Sequence, residues 1–135
     1  MPAEEGDSVA VGLMRILVVE DEFLIAIHLE DMLGELGYTD IHIARDLDEG
    51  WSVLESITPD FAILDVNIGA ALVFPLASEL LRRKVPFVFS TGRGLGAFPP
   101  EWRAFPLVPK PLETRLLVAA MQDCGLRRRQ TPEGD

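Results

Sequence analysis

Four apolar runs in this sequence stop on groups that do chemistry. The run 15–19, Arg-Ile-Leu-Val-Val, ends in Glu20-Asp21-Glu22, and the run 60–65, Asp-Phe-Ala-Ile-Leu-Asp, closes on Asp65. Two later runs end differently: Ser90-Thr91-Gly92 offers hydroxyls, and Val108-Pro109-Lys110-Pro111 offers an ammonium. Three converging carboxylates repel one another unless a hard cation neutralises them, and Mg²⁺ takes a few carboxylates together with waters and a phosphate oxygen. A lysine and a hydroxyl beside such a cluster suit a site where a phosphoryl group arrives, since both hold its oxygens. Taken singly these residues are ordinary, for acids often end strands in solvent and a lone lysine is usually a surface residue. Their meaning depends on whether they meet.

Meeting requires elements that bring the run ends to one edge. Residues 15–19 form a short, β-branched run that reads as a strand buried on both faces. From 23 to 36, Leu24, Ile27, Met32 and Leu36 make one helical stripe, and Gly37 supplies the stop. Residues 41–44 are a second strand, and 47–57 a second helix with Leu47, Trp51, Leu54 and Ile57 on its apolar face. Thr58-Pro59 breaks it before the third strand at 60–65. A third helix over 72–84, a fourth strand over 85–90, a fifth around Leu107 and Val108, and a last helix over 112–123 follow. Gly92, Gly94, Gly96, Pro99 and Pro100 leave the fourth helix of the series reduced or irregular. Such alternation implies right-handed crossovers and an α/β fold, a doubly wound, five-stranded parallel sheet whose ligands bind at the carboxyl ends of the strands. All four chemical run ends then open on the same edge.

The 135 residues allow one domain, expected over 13–124, with a mobile tail at 1–12 and a frayed tail at 125–135 that carries Arg127-Arg128-Arg129. With 48% apolar and 25% charged residues, the composition is that of a globular domain. A net charge of -10 opposes binding to the phosphate backbone of nucleic acid. Cys124 is the only cysteine, which rules out an intrachain disulfide and a cysteine-ligated zinc and points to the cytoplasm. No apolar run approaches the ~18 residues a membrane span needs, and residues 1–8 carry acids where a signal peptide carries positive charge. No membrane role is expected.

An acidic pair, an aspartate, a threonine and a Lys-Pro at successive strand ends resemble the receiver domain of bacterial two-component response regulators, over residues 14–123. The resemblance implies a flavodoxin-like sheet with strand order 2-1-3-4-5 and a single-domain response regulator. It implies that Glu20 and Asp21, with Asp65 and the backbone carbonyl of Asn67, hold Mg²⁺. Asp65 would accept a phosphoryl group from a sensor histidine kinase or a histidine phosphotransfer protein, Thr91 would be the switch hydroxyl, and Lys110 would contact the phosphoryl oxygens. Pro111 would follow Lys110 through a cis peptide. Such a protein is a phosphoacceptor rather than an enzyme with a separate substrate, and signals through contacts with another protein, here unidentified.

Several positions depart from that pattern. Ile68-Gly69-Ala70 stands where the family usually carries Met or Leu followed by Pro-Gly, and Leu107 where it usually carries Tyr or Phe. Phe89-Ser90-Thr91-Gly92 resembles a branch that reads Phe-Ala-Thr-Gly. Asn67 and Arg93 would flank the phosphoryl group and set its lifetime, and the segment 92–100 would report phosphorylation by reordering. His28 and His42 read as structural, Trp51 as core, and Trp102 either packs down or meets a partner. A flavodoxin-like nucleotide binder would want a Ser, Thr or Gly loop after the first strand, where Glu20-Asp21-Glu22 stands. An aspartyl phosphatase would want an acid at Asn67. The remaining alternative is a non-phosphorylated, receiver-like protein-binding module, against which the complete set of Glu20, Asp21, Asp65, Thr91 and Lys110 argues.

Overall fold

The computed structural model describes residues 13–92 and 98–124. The expected tails at 1–12 and 125–135, and Arg93, Gly94 and Gly96, lie outside the described residues. In chain order the elements are β1 (Arg15–Val19), α1 (Phe23–Glu35), β2 (Asp40–Ala44), α2 (Leu47–Ser56), β3 (Phe61–Asp65), a small hairpin of β4 (Asn67–Ile68) and β5 (Ala71–Leu72), α3 (Phe74–Arg82), β6 (Phe87–Thr91), a 3-10 turn (Pro100–Trp102), β7 (Leu107–Pro109) and α4 (Thr114–Asp123).

Five strands form one parallel sheet in the order β2-β1-β3-β6-β7. This is the expected doubly wound order, with the hairpin strands taking two numbers in the sequence count. Alternation along the buried strands sends side chains to two separate cores. Ile16, Val18, Phe61, Ile63, Val88 and Val108 pack under α1 and α4, while Leu17, Val19, Ala62, Leu64, Phe87 and Phe89 pack under α2 and α3. Both sheet faces are therefore covered, which is why the strand sequences show no polar alternation.

Helix ends follow local chemistry. The Asp46 side chain accepts the Glu49 N–H at 2.8 Å at the start of α2, a cap of the usual N-terminal kind. At the end of α1, Gly37 has φ 103 and Tyr38 N–H reaches Leu33 O at 2.9 Å, so the glycine stop forms as expected. α3 ends the same way with Lys84 at φ 62 and Val85 N–H bonded to Leu80 O at 2.9 Å. Lysine there adopts a conformation that glycine reaches more cheaply.

Three expectations need correction. The buried stripe of α1 is Ala26, Leu29, Met32 and Leu33, whereas Leu24 and Ile27 are exposed; the outward turn of the helix beside the site carries apolar residues. Trp51 is also exposed, and Trp102 instead is buried, which settles the latter as a core residue. Finally, α3 begins at Phe74, because Leu72 belongs to the hairpin. Between β6 and β7 the described residues contain only the three-residue 3-10 turn, in place of a helix.

Candidate functional site

The sheet register assembles the site. Val19 pairs with Leu64, so Glu20, one residue on, falls beside Asp65; Asp65 pairs with Ser90, and Ser90 with Val108. Glu20, Asp65 and Ser90 therefore form a row at the carboxyl ends of β1, β3 and β6, on the α1/α4 side of the sheet. All three are buried, at 1%, 4% and 1% exposure.

Lys110 reaches into this row from the end of β7. Its Nζ lies 3.0 Å from Asp65 Oδ2 and 3.2 Å from Glu20 Oε1, with Glu22 at the rim 4.0 Å away. The Lys110–Pro111 peptide is cis, as expected. The contact with Glu20 Oε1 is an ion pair without hydrogen-bond geometry, so that buried oxygen has no hydrogen bond among the described residues. Glu20 Oε2 accepts from Glu22 N–H at 3.1 Å, and Asp65 Oδ1 accepts from Asn67 N–H at 3.3 Å.

Burial governs the charges. It pushes the Glu20 carboxyl up to about 7, with the Asp65 charge adding to it and the Glu22 N–H and Lys110 pulling back. Asp65 is raised for the same first reason, against the opposing hydrogen bond from Lys110. For Lys110, burial would lower the ammonium, but its hydrogen bond and charge contact with Asp65, helped by Glu20, raise it overall. One ammonium among two buried, ionised carboxylates leaves net negative charge, and burial makes that costly.

One oxygen from each of Glu20, Asp21 and Asp65 falls within 4.8 Å of the others. This all-oxygen donor set and the Glu20 oxygen left without a hydrogen bond fit a hard divalent cation. The open cleft above them is lined by Asp21, Glu22, Asp65, Asn67, Gly69 and Lys110. Thr91 is buried at the end of β6, and its carbonyl accepts the Lys110 backbone N–H at 3.1 Å. The expected residues Glu20, Asp21, Asp65 and Lys110 thus converge, with Asn67 beside them and Thr91 anchoring the lysine backbone. Two contributors escaped the sequence reading. Gly69, with φ 61, points its N–H at Asp21 Oδ2 over 2.9 Å, tying the hairpin to the acidic pair; a glycine two residues past Asn67 was the available signal. The other is Ser90, placed at this edge with Thr91 but given no role of its own.

No family model matches the chain. Over 86 residues it is 35% identical to the transcriptional regulatory protein PdtaR of Mycobacterium tuberculosis, a match to 63% of this chain and 42% of PdtaR. Its fold is similar to the response regulator PhyR of Brucella abortus, with a TM-score of 0.72 and 28% identity over 94% of this chain and 52% of that one. It is similar as well to SdrG of Sphingomonas melonis Fr1, with a TM-score of 0.76 and 34% identity over 85% of this chain and 98% of SdrG. The chain belongs to the receiver domains of response regulators. As a receiver it spans less than half the length of the curated relative it matches. No helix among its described residues is long and apolar enough to cross a membrane.

Proposed function

We propose that this receiver accepts a phosphoryl group on Asp65 from a phosphohistidine of a sensor histidine kinase or a histidine phosphotransfer protein, in the cytoplasm, and signals through contact with another protein. One observation carries the reading: Asp65 is a buried carboxylate facing an open cleft, with Lys110 Nζ at 3.0 Å and two further acids beside it. A carboxylate placed so is an oxygen nucleophile whose charge is balanced on arrival of phosphate oxygens.

An Asp65 oxygen forms the new bond to phosphorus while the phosphorus–nitrogen bond of the donor breaks, its electron pair leaving with the imidazole. Lys110 is already oriented toward the oxygen of Asp65 and follows negative charge onto the transferring group. Thr91 is the hydroxyl assigned to hold that group afterwards. Glu20, Asp21, Asp65 and the Asn67 carbonyl would hold Mg²⁺, which would supply positive charge to balance the transferring oxygens. Water attack on phosphorus later breaks the Asp65 oxygen–phosphorus bond and returns the carboxylate and inorganic phosphate. The domain thus catalyses only its own phosphorylation and its reversal.

Intact mass after incubation with Mg²⁺ and acetyl phosphate tests this, for the wild type and for Asp65→Ala. A Mg²⁺-dependent gain of one phosphoryl group in the wild type alone is expected. No gain from acetyl phosphate or from a phosphohistidine donor would sink the reading in favour of a protein-binding module.

A further inference from the structure

Ser90 has a buried hydroxyl that the resting site does not use. Its Oγ is shielded from solvent and has no hydrogen-bond partner among the described residues. An orphan hydroxyl costs free energy that an alanine at the same place would avoid.

Its surroundings are the reacting groups. Ser90 pairs in register with Asp65 on one side and Val108 on the other. Alternation puts Ser90 with Val88, and Asp65 with Ile63, on the same α1/α4 face, and adjacent strands lie about 4.8 Å apart. Lys110, two residues past Val108, crosses from β7 to Asp65 above this position. A Cβ built on Gly92, two residues past Ser90, would lie 3.9 Å from Lys110 Cδ, so the lysine stem runs over the end of β6. The hydroxyl therefore lies on the face of the nucleophile, one strand from it, on the strand whose end the lysine stem crosses.

We infer that Ser90 is a positioning residue of the phosphorylated state, its hydroxyl taking a hydrogen bond only once Asp65 carries the phosphoryl group. This rests on the proposed role of Asp65. Conversion of that carboxylate to an acyl phosphate adds oxygens beside Ser90 and draws the Lys110 ammonium away from Asp65 Oδ2, so both neighbours of the hydroxyl change at once. A group unpaired before transfer and paired after it favours the phosphorylated form, and one hydrogen bond gained this way corresponds to roughly a threefold to tenfold longer lifetime.

The test uses Ser90→Ala, which removes the hydroxyl, and Ser90→Cys, which keeps the space filled with a weaker donor. Each protein is phosphorylated with acetyl phosphate and Mg²⁺, the donor is removed, and loss of the phosphoryl mass is followed in time; Tm is measured on the unphosphorylated proteins. Both variants are expected to lose the group roughly threefold to tenfold faster than wild type, while resting Ser90→Ala melts at or above the wild-type temperature. Wild-type lifetimes in both variants overturn the inference. A lower resting Tm for Ser90→Ala overturns it too, because the hydroxyl then has a structural partner at rest, such as a buried water. A wild-type protein that takes no phosphoryl group from either donor type defeats the Asp65 reading first, a result distinct from an unchanged lifetime.

Discussion

The two faces of one sheet do opposite work here. On the α2/α3 face, Phe74, Phe87, Phe89, Phe98, Trp102 and Phe105 form a continuous aromatic cluster, with Phe89 edge-on to Phe98 at 5.2 Å and Phe74 stacked on Trp102 at 5.6 Å. On the α1/α4 face the same strands end in Glu20, Asp65 and Ser90, where a carboxylate oxygen and a hydroxyl have no hydrogen bond among the described residues. Burial of aromatic rings is strongly favourable, and each well-placed pair adds about 0.5–1.5 kcal/mol. Burial of unpaired polar groups is unfavourable. Consecutive residues Phe89 and Ser90 belong to different ledgers, because alternation turns one into each face. The difference teaches that the polar row is confined to the strand ends, because the α1/α4 face below it is itself packed by Ile16, Val18, Leu33, Phe61 and Leu117.

The comparison breaks most easily at Phe89, which is fully buried at the centre of the aromatic cluster. Phe89→Ala is expected to cost about 3–5 kcal/mol in chemical denaturation, yet to leave the Mg²⁺ affinity of the folded protein unchanged in a titration. A weakened Mg²⁺ affinity would mean that the faces are coupled. Next in size is Arg83, which donates to Leu54 O at 2.9 Å and Thr58 Oγ1 at 3.2 Å and pairs with Glu79 at 2.7 Å, fastening α3 to the end of α2. Arg83→Ala is expected to lower stability by about 1–2 kcal/mol, again with no change in metal affinity.

The sequence made one face far more legible than the other. Strand positions follow from short β-branched runs alternating with helical stretches and their order from the family resemblance, and the chemical groups stand at the run ends, so the sequence alone places Glu20, Asp21, Asp65 and Lys110 together. It does not place the aromatic cluster. Phe98, Trp102 and Phe105 fall in a proline-rich connection without periodicity, and only the tertiary packing shows that they join the core to which Leu107 belongs, at the position where the resembled family usually carries Tyr or Phe. α1 was misread for a related reason: Leu24 and Ile27 fit an apolar stripe as well as Leu29 and Leu33 do, and spacing alone does not say which stripe faces the sheet. The end of α3 carried no glycine, so its left-handed stop at Lys84 left no trace in composition. Ser90 was placed at the site edge with Thr91 but given no role of its own, because its orphan state is a property of packing.

The smallest expected effect sharpens the contrast by sign. Glu20, 1% exposed, has its carboxyl pushed up to about 7, chiefly by burial, from an ordinary value of 4.5. The folded state therefore keeps that proton to higher pH than the unfolded state does. The resulting stabilisation is fully present below pH 4.5 and is lost as pH rises through about 7. Glu79, on the far side of the molecule, behaves oppositely. Its hydrogen bonds from Arg82 and Arg83 lower it to about 2, so its contribution is present above 4.5 and lost only in acid. Between pH 5.5 and 8 the Glu20 effect dominates, and metal-free protein is expected to lose on the order of 1 kcal/mol in thermal unfolding. Glu20→Gln should flatten that decline, and Mg²⁺ should offset it, because a cation takes the carboxylate in place of the proton and binds more tightly at pH 8 than at pH 6. Metal-free stability that instead rises from pH 5.5 to 8 would show that attraction to Lys110 outweighs the burial of Glu20, and the acidic row would then be a stabilising feature rather than a cost.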